Sequence, residues 1–345
     1  NLGHNIFVIS SSNPHLEIKL KELNVFHSVI NPLFQYFDIP AGVKIGKIIK
    51  DFNIDIIHSH ISRNLSTIIL GKKFSKRGKI VFTNHTDTRR KKKDFFHSWV
   101  YANIDRLVAI SDDMKKHHIE LTSIDKEKVS RIYNGINIEQ FNRKLYNIEL
   151  IKKKYKIKDK KNIVGCVARL TSVKNQELLI KAAPEVLKYF PDSLFLFIGR
   201  EDKDRYGTGY RKYLENLAEE LNILDYVQFT GFIEDIPEIT SIFDVSVLTT
   251  LKESFGLVLI EAMAMGIPVI ASGAGGVPEI IKDDFNGKLY KPGNPEDLAR
   301  CIIEVLKNPD KKNKMGMNAR KTVEEKFNLS KNIREYENLF FNLLI

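Results

Sequence analysis

Cysteine and long apolar runs are what this sequence lacks. Its 345 residues include two cysteines, Cys166 and Cys301, and each lies among apolar neighbours. Two such cysteines cannot form a disulfide framework, so the composition indicates a reducing compartment and predicts a cytosolic protein. No stretch approaches the roughly 18 consecutive apolar residues that a membrane-spanning helix needs. The pattern therefore argues against a disulfide-rich secreted module and against an integral membrane protein.

The remaining composition is that of a globular protein with a basic first half. Hydrophobic residues make up 43% and charged residues 28% of the chain, which excludes a disordered, collagen-like or coiled-coil protein. The length predicts two domains. Residues 1–150 carry 24 Lys and Arg against 15 Asp and Glu, whereas the rest carries 30 against 28. The basic half predicts attraction to phosphate groups on nucleic acid, on anionic lipid or on a small substrate.

Short apolar runs alternate with amphipathic stretches along the chain, which is typical of an α/β fold. The highly charged residues 142–162 predict a solvated helix and an interdomain connection. The alternation predicts two doubly wound domains in tandem, with a ligand facing the C-terminal ends of the strands. The predicted strands are 5–10, 54–58, 80–83, 106–110, 163–168, 194–198, 227–229, 245–248 and 268–271, and helices are predicted to begin at Asn175, Arg211, Gly256, Val277 and Pro295.

The most informative stretch runs from Glu253 to Glu261. A strand that ends near Thr249 leads through Gly256 into a helix, whose first backbone N–H groups can receive an anion. Glu253 lies in the loop, and the side chain of Glu261 leans back toward the helix start. Carboxylates accept hydrogen bonds from neighbouring hydroxyl groups, so an anion between two of them suits a nucleotide sugar. The alternative, that Glu261 only caps or solvates an ordinary helix, stays open at this point.

Two cationic residues follow the end of another predicted strand. Arg169 and Lys174 follow the predicted strand 163–168 and precede a helix. A planar guanidinium and a mobile ammonium group together suit a diphosphate and can neutralise it without a divalent metal. Most surface cations are merely solvated, so this pair taken alone is a weak signal.

With these residues in place, the sequence resembles the retaining, nucleotide-sugar-dependent glycosyltransferases of the GT-B fold, in the large group called glycosyl transferase group one. The resemblance covers nearly the whole chain. Its motifs are Asp55-Ile-Ile-His58-Ser-His60, Thr83-Asn-His85-Thr, Ile132-Tyr-Asn134-Gly135-Ile-Asn137, Ala168-Arg169 to Lys174-Asn, Phe229-Thr-Gly231-Phe, Glu253 to Glu261 with the following Ala-Met-Ala-Met-Gly-Ile-Pro, and Gly275-Gly276-Val-Pro-Glu279.

The resemblance implies an α/β, GT-B fold with two Rossmann-like domains that face a central cleft. Residues 1–144 would form the acceptor-side domain and residues 145–330 the domain that binds the donor. Residues 331–345 would form a C-terminal helix that packs back on the first domain.

The resemblance also implies the donor contacts. Glu253 would hold hydroxyls of the donor sugar, Glu261 the ribose hydroxyls, and Arg169 with Lys174 the diphosphate. The loop after Gly231 would lie near the base. The implied donor-binding residues are Arg169, Lys174, Gly231, Phe232, Glu253, Phe255, Gly256, Leu257 and Glu261.

For catalysis, the resemblance implies His85, Glu253, Arg169 and Lys174. His85 matches the first-domain histidine that leans over the donor sugar. The implied reaction is front-face transfer with retention, in which the donor phosphate takes the acceptor proton. Positioning and stabilisation of the departing diphosphate would then carry the reaction, with no metal or other cofactor.

Four other features have competing interpretations. His58 and His60 offer no third ligand in the sequence nearby, so a metal site is disfavoured. Asp202-Lys-Asp204 spells a metal-binding pattern of another glycosyltransferase fold, but its polar, cationic surroundings indicate a coincidence. Phe95, Phe96 and Trp99 are predicted to pack a helix. Gly273, Gly275 and Gly276 fit either close approach to a donor or a tight turn.

The basic run consists of Arg89, Arg90, Lys91, Lys92 and Lys93, and aromatic residues follow it. This arrangement predicts contact with anionic lipid at the inner face of the plasma membrane, and a solvated helix face is the alternative. The expected partners are a nucleotide-sugar donor, a glycan or lipid-linked acceptor and no nucleic acid. A nucleic-acid-binding module is the rival class, and an inactive GT-B scaffold is the third.

The start of the chain carries one further expectation. Asn1-Leu2-Gly3-His4 resembles a helix end closed by glycine, and the predicted strand 5–10 follows it. In a doubly wound domain, a first strand and helix would come before this point. The sequence therefore predicts upstream residues that complete the first sheet.

Overall fold

A computed structural model describes residues 2–34, 36–88, 90–202 and 209–345. The chain divides into two compact units. The first comprises Asn1–Ala109, Lys115–Ser130 and Leu339–Ile345, and the second comprises Ile110–Met114 and Arg131–Asn338. In both, parallel strands alternate with helices, which confirms the predicted α/β class.

The first unit contains a two-stranded sheet and a four-stranded sheet. The pairs β1 with β2, β3 with β4 and β4 with β5 are parallel. Its elements, together with helix α5, are β1 (Phe7–Ser10), α1 (Pro14–Glu22), β2 (Phe26–Val29), α2 (Ile39–Asp51), β3 (Ile56–Ser59), α3 (Leu65–Ser75), β4 (Lys79–Asn84), α4 (Phe95–Ala102), β5 (Arg106–Ala109), α5 (Asp112–Leu121) and β6 (Val129–Arg131).

The second unit is built on one six-stranded sheet in the order β12-β11-β10-β7-β8-β9, and all five strand pairs are parallel. This is a doubly wound order in which the first strand of the unit is central. Its elements, up to the C-terminal helix, are α6 (Ile148–Lys154), β7 (Asn162–Val167), α7 (Glu177–Tyr189), β8 (Ser193–Ile198), α8 (Tyr210–Glu220), β9 (Val227–Gly231), α9 (Ile236–Thr240), β10 (Val245–Leu248), α10 (Leu257–Ala264), β11 (Val269–Ser272), α11 (Val277–Ile280), β12 (Gly287–Tyr290), α12 (Pro295–Lys307), α13 (Pro309–Lys326) and α14 (Leu329–Leu344).

The second unit packs its core around the central strand β7. Buried apolar side chains from β7, β8 and β10 pack with helices α7 and α12 in one cluster. Gly165 lies in β7 directly against the ring of Phe243, and a Cβ atom at this position would come within 2.3 Å of that ring. A glycine is therefore required for Phe243 to fill the core.

The structure differs from the sequence predictions at several elements. Strands β2, β6 and β12 were not predicted, because they are three or four residues long and carry polar side chains. Within 142–162 the α-helix is limited to α6, and it buries Ile151. The helix predicted at Val277 is a single turn. No helix in the described ranges is long and apolar enough to cross a bilayer.

Candidate functional site

The loop between β10 and α10 is held by a second loop that follows β11. The Glu253 carbonyl oxygen accepts the N–H of Gly276 at 2.9 Å. A Cβ atom on Gly275 would lie 2.2 Å from that carbonyl oxygen, and one on Gly276 would lie 2.4 Å from the Ser254 carbonyl oxygen. Gly275 also adopts a φ of +68°. These glycines therefore serve close packing of two loops, which fixes the backbone under Glu253.

Helix α10 begins directly after Gly256, in a loop that is anchored by packing of Phe255. Gly256 precedes it with φ +101°, and no side chain of the described residues caps the helix start. Phe255 is buried against Tyr133 and Phe327, with ring centroids 5.8 and 5.7 Å away, whereas Leu257 is exposed. The first backbone N–H groups of α10 are thus presented from an anchored loop, a geometry that can receive an anion.

Glu261 lies one turn into α10 with its carboxyl group largely buried. Within the described part of the chain no hydrogen bond or ion pair reaches this carboxyl group. Burial raises its pKa to about 7. The residue is half-buried, so its carboxyl oxygens can accept hydrogen bonds from hydroxyl groups of a ligand.

Lys174 meets Glu253 directly. The Lys174 ammonium group lies 2.7 Å from a carboxylate oxygen of Glu253, and both side chains are mostly shielded from solvent. The Thr249 hydroxyl donates to the Lys174 carbonyl oxygen at 2.6 Å, which ties this loop to the end of β10. Two segments far apart in sequence therefore meet at one pair of opposite charges.

Arg169 has a different partner. Its guanidinium group lies 2.7 Å from the carboxylate of Asp202, which also accepts from Arg200 at 2.9 Å. The hydrogen bond from Arg169 lowers the pKa of Asp202. Asp204, the second acid of the Asp202-Lys-Asp204 pattern, lies outside the described residues. The structure thus brings Lys174 to Glu253 and Arg169 to Asp202, so the two cations are held by separate acids.

The end of β9 forms a turn beside an open groove. Gly231 has φ +76°, and its carbonyl oxygen accepts the N–H of Gly199 at 2.9 Å. The ring of Phe232 is exposed and lines a groove of about 800 Å³ together with Tyr146 and Tyr155. An exposed ring beside a polar groove can cover the flat face of a base.

In the first unit, three histidines gather at the ends of β3 and β4. Nδ1 of His60 lies 3.0 Å from Nε2 of His85, and Nε2 of His58 lies 2.8 Å from the Thr83 hydroxyl. Burial lowers the pKa of His58 to about 3 and also lowers the pKa of His60 and His85. All three imidazoles are therefore neutral near pH 7. The neighbouring strand β4 thus brings His85 beside His60, a contact that the spacing of His58 and His60 alone does not predict.

Glu279 is a site residue that sequence reasoning did not single out. Its carboxylate accepts the backbone N–H groups of Asp112 and Asp113, at 2.8 and 3.0 Å. A carboxylate at the start of α5 satisfies two amides that the helix itself leaves free. Glu279 could have been noticed in the sequence, because it ends the Gly275-Gly276-Val-Pro-Glu279 motif. Its hydrogen-bond partners could not be predicted, because they lie more than a hundred residues away.

Two protein-family models match the chain. The model for glycosyl transferases group 1 matches residues 147–322, and the model for Glycosyltransferase Family 4 matches residues 1–140. The first match includes Arg169, Lys174, Glu253 and Glu261. It therefore contains the loop of Glu253, the start of α10 and Glu261, which together we call the α10 site.

Individual proteins agree with the family matches. The chain is 28% identical to N-acetyl-alpha-D-glucosaminyl L-malate synthase of Bacillus anthracis, covering 99% of this chain and 90% of that protein. It is 26% identical to the UDP-Gal:alpha-D-GlcNAc-diphosphoundecaprenol alpha-1,3-galactosyltransferase of Escherichia coli, covering 89% and 80%. A glycosyltransferase structure from Rickettsia africae ESF-5 superposes with a TM-score of 0.89 at 26% identity, covering 99% and 91%. The predicted GT-B fold is confirmed.

Proposed function

Because the chain belongs to the glycosyl transferases of group 1, we propose that it transfers a hexose from a nucleoside-diphosphate sugar to a glycan or lipid-linked acceptor, with retention of the anomeric configuration. The observation that carries the proposal is the α10 site. The start of α10, which no described side chain caps, lies between Glu253 and the half-buried Glu261.

Each part of a nucleotide sugar has a matching group at this site. The diphosphate takes the α10 amides and the cations Lys174 and Arg169. The ribose hydroxyls donate to Glu261, which has no other donor in the described ranges. Phe232 at the open groove suits the base. This division supports a donor in which sugar, diphosphate and nucleoside are read by different segments of the second unit.

The proposed chemistry needs no protein base. The bond between the anomeric carbon and the diphosphate oxygen breaks, and a bond from that carbon to the acceptor oxygen forms on the same face. The acceptor proton passes to an oxygen of the departing diphosphate. Lys174, Arg169 and the helix amides stabilise the charge that develops there, so we propose that transfer is independent of metal ions.

His85 is the first-unit residue assigned to the donor sugar. Its imidazole is partly exposed, and partial burial lowers its pKa, which leaves it neutral near pH 7. A neutral ring held at 3.0 Å by His60 can hydrogen-bond a sugar hydroxyl without repelling a cationic anomeric centre. We assign His85 to this contact, with His60 holding its orientation.

The acceptor is proposed as a class. One relative is named for a diphosphoundecaprenol-linked acceptor and another for malate. A lipid-linked acceptor would bring the enzyme to a membrane, and the basic run supports contact with anionic lipid. Arg90, Lys91 and Lys93 are exposed, whereas the backbone of Lys92 is held by the Leu121 carbonyl oxygen at 2.7 Å. Arg89 lies outside the described residues.

A donor screen tests the proposed function. The purified chain is incubated with UDP-, GDP- and ADP-linked hexoses, and release of the nucleoside diphosphate is measured with and without candidate acceptors. We expect one base to give turnover and NMR to show the donor's anomeric configuration in the product. Glu261→Ala serves as the site control. Turnover that is unchanged in this variant, or an inverted product, would contradict the proposal.

A further inference from the structure

The loop before α2 turns large apolar side chains toward solvent. The side chains of Leu33 and Phe34 are 79% and 63% exposed, and Tyr36 and Phe37 are also exposed. Phe95, which sequence reasoning placed in helix packing, is 90% exposed at the start of α4. We call these five residues the aromatic surface. Contiguous apolar exposure of this kind marks a binding surface in a water-exposed protein.

Hydrogen bonds hold this loop in shape. The buried carboxylate of Asp38 accepts the N–H groups of Leu33 at 2.5 Å, Phe34 at 3.1 Å and Ala41 at 2.7 Å. The Ser66 hydroxyl also donates to the Tyr36 carbonyl oxygen. The exposed side chains are therefore presented by a fixed backbone.

Ring contacts join the loop to α4. Tyr36 meets Phe96 edge to face with 6.2 Å between centroids, and Phe37 lies 5.5 Å from Trp99. Phe96 and Trp99 pack on the core of the first unit, as the sequence predicted. Ring contacts thus join the loop to α4, the helix that carries Phe95 at its first position.

Cations border the aromatic surface. Arg90, Lys91 and Lys93 immediately precede the helix that carries Phe95, and the Lys73 ammonium group lies 5.1 Å from the centre of the Trp99 ring. The acid between them, Asp94, is engaged, because it accepts the His97 N–H at 3.1 Å at the start of α4. Aromatic side chains bordered by cations match the chemistry of a bilayer interface with anionic headgroups.

We propose that the aromatic surface inserts into the interfacial region of an anionic bilayer while the bordering cations lie at the level of the lipid phosphates. The inference rests on the proposed membrane contact of the basic run and adds apolar insertion to it. Charge complementarity favours an anionic bilayer over a protein partner, because exposed cations directly precede the exposed ring of Phe95. The insertion would hold the first unit at the membrane that carries a lipid-linked acceptor.

Trp99 makes this testable, because it is the chain's single tryptophan and packs against Phe37. Vesicles of phosphatidylcholine, with or without phosphatidylglycerol, are mixed with the full chain. Binding is measured by co-sedimentation, and insertion by quenching of Trp99 fluorescence with lipids brominated on the acyl chain. We expect binding and quenching with phosphatidylglycerol. The triple variant Leu33→Ser, Phe34→Ser, Phe95→Ser should weaken binding roughly tenfold or more and abolish quenching.

Matched variants separate the two proposals. Leu145→Ser, Leu150→Ser, Met317→Ser removes three exposed apolar side chains of the second unit, and Lys307→Gln, Lys314→Gln, Lys326→Gln removes three exposed charges there. Both should bind like the unaltered chain. A different result would overturn insertion and leave the contact proposal standing. In it, binding depends on Arg90, Lys91 and Lys93, Trp99 is not quenched, and the triple variant Leu33→Ser, Phe34→Ser, Phe95→Ser binds like the unaltered chain. Absence of vesicle binding would overturn both.

Discussion

The ammonium group of Lys174 and the carboxylate of Glu253 form an ion pair at 2.7 Å, and both side chains are mostly shielded from solvent. In the proposed reaction these residues have different targets, namely the diphosphate and the donor sugar. An incoming diphosphate would draw Lys174 away and leave the Glu253 oxygens for sugar hydroxyls. The pair therefore keeps each side chain near its target until the donor arrives.

This relationship predicts unequal effects of two substitutions. Glu253→Gln should lower kcat roughly 100-fold or more with a small change in donor KM. It weakens the hydrogen bonds to the donor-sugar hydroxyls, which we expect to be stronger in the transition state. Lys174→Ala should impair both kcat and donor KM, because it removes diphosphate charge compensation. Steady-state kinetics with the donor found by the screen checks this.

The control for that experiment is Lys188→Ala, which breaks an exposed ion pair with Glu185 at 2.6 Å on helix α7. Exposed pairs contribute little, so its kinetics should match those of the unaltered chain. Equal kinetics in Glu253→Gln and Lys188→Ala would remove Glu253 from the site.

We predict that Glu261 strengthens donor binding but lowers the free energy of unfolding of the protein without donor. Burial raises its pKa to about 7 from an ordinary value of 4.5. Between these values the folded chain keeps a proton that the unfolded chain loses, so the free energy of unfolding falls as pH rises, by about 3 kcal/mol in total. Glu261→Gln should remove this loss and be more stable than the unaltered chain at pH about 8, as measured by denaturant unfolding.

Donor affinity should change in the opposite sense. Ionised Glu261 accepts hydroxyl protons more strongly, so donor Kd should fall as pH rises through about 7 in the unaltered chain. In Glu261→Gln the donor should bind more weakly, with little pH dependence across this range. Calorimetric titration at several pH values measures both. A variant that is destabilised and binds the donor normally would show that Glu261 is a packing residue.

The sequence predicted the elements that carry the site better than the contacts within it. Glu253 and Glu261 could be placed because a strand, a glycine and a helix follow one another within a short stretch. The pairing of Lys174 with Glu253 joins two loops 79 residues apart, and no local pattern encodes it. His60 and His85 were within reach of reasoning, since β3 and β4 are adjacent parallel strands and their C-terminal ends must meet.

Substitution of Asp202 tests whether the proposed transfer is independent of metal ions. Each of its two carboxylate oxygens accepts a hydrogen bond from an arginine, Arg169 on one and Arg200 on the other, so two cations already neutralise it. Asp202→Asn should therefore keep kcat within a few-fold, and EDTA should not reduce the activity of the unaltered chain. Activity assays with EDTA, followed by Mg²⁺ or Mn²⁺, check this. Loss of activity that only a divalent ion restores would assign Asp202 to a metal site.

The glycines after β11 offer the sharpest steric test, because they differ in how closely another loop approaches them. A Cβ atom on Gly276 would lie 2.4 Å from the Ser254 carbonyl oxygen, whereas one on Gly273 would meet nothing nearer than 3.9 Å. Gly276→Ala should push the Glu253 loop aside and lower kcat/KM by roughly 100-fold or more, since small displacements of positioning groups have costs of this size.

Gly273→Ala changes the same loop by the same methyl group and should keep nearly full activity. Because backbone displacement also affects packing, thermal unfolding is measured for both variants, and kinetics are compared at a temperature where each is folded. If the loop contact positions Glu253, combining Gly276→Ala with Glu253→Gln should cost little more than Glu253→Gln alone. Fully additive losses in the double variant would mean that Gly276 acts through another part of the site.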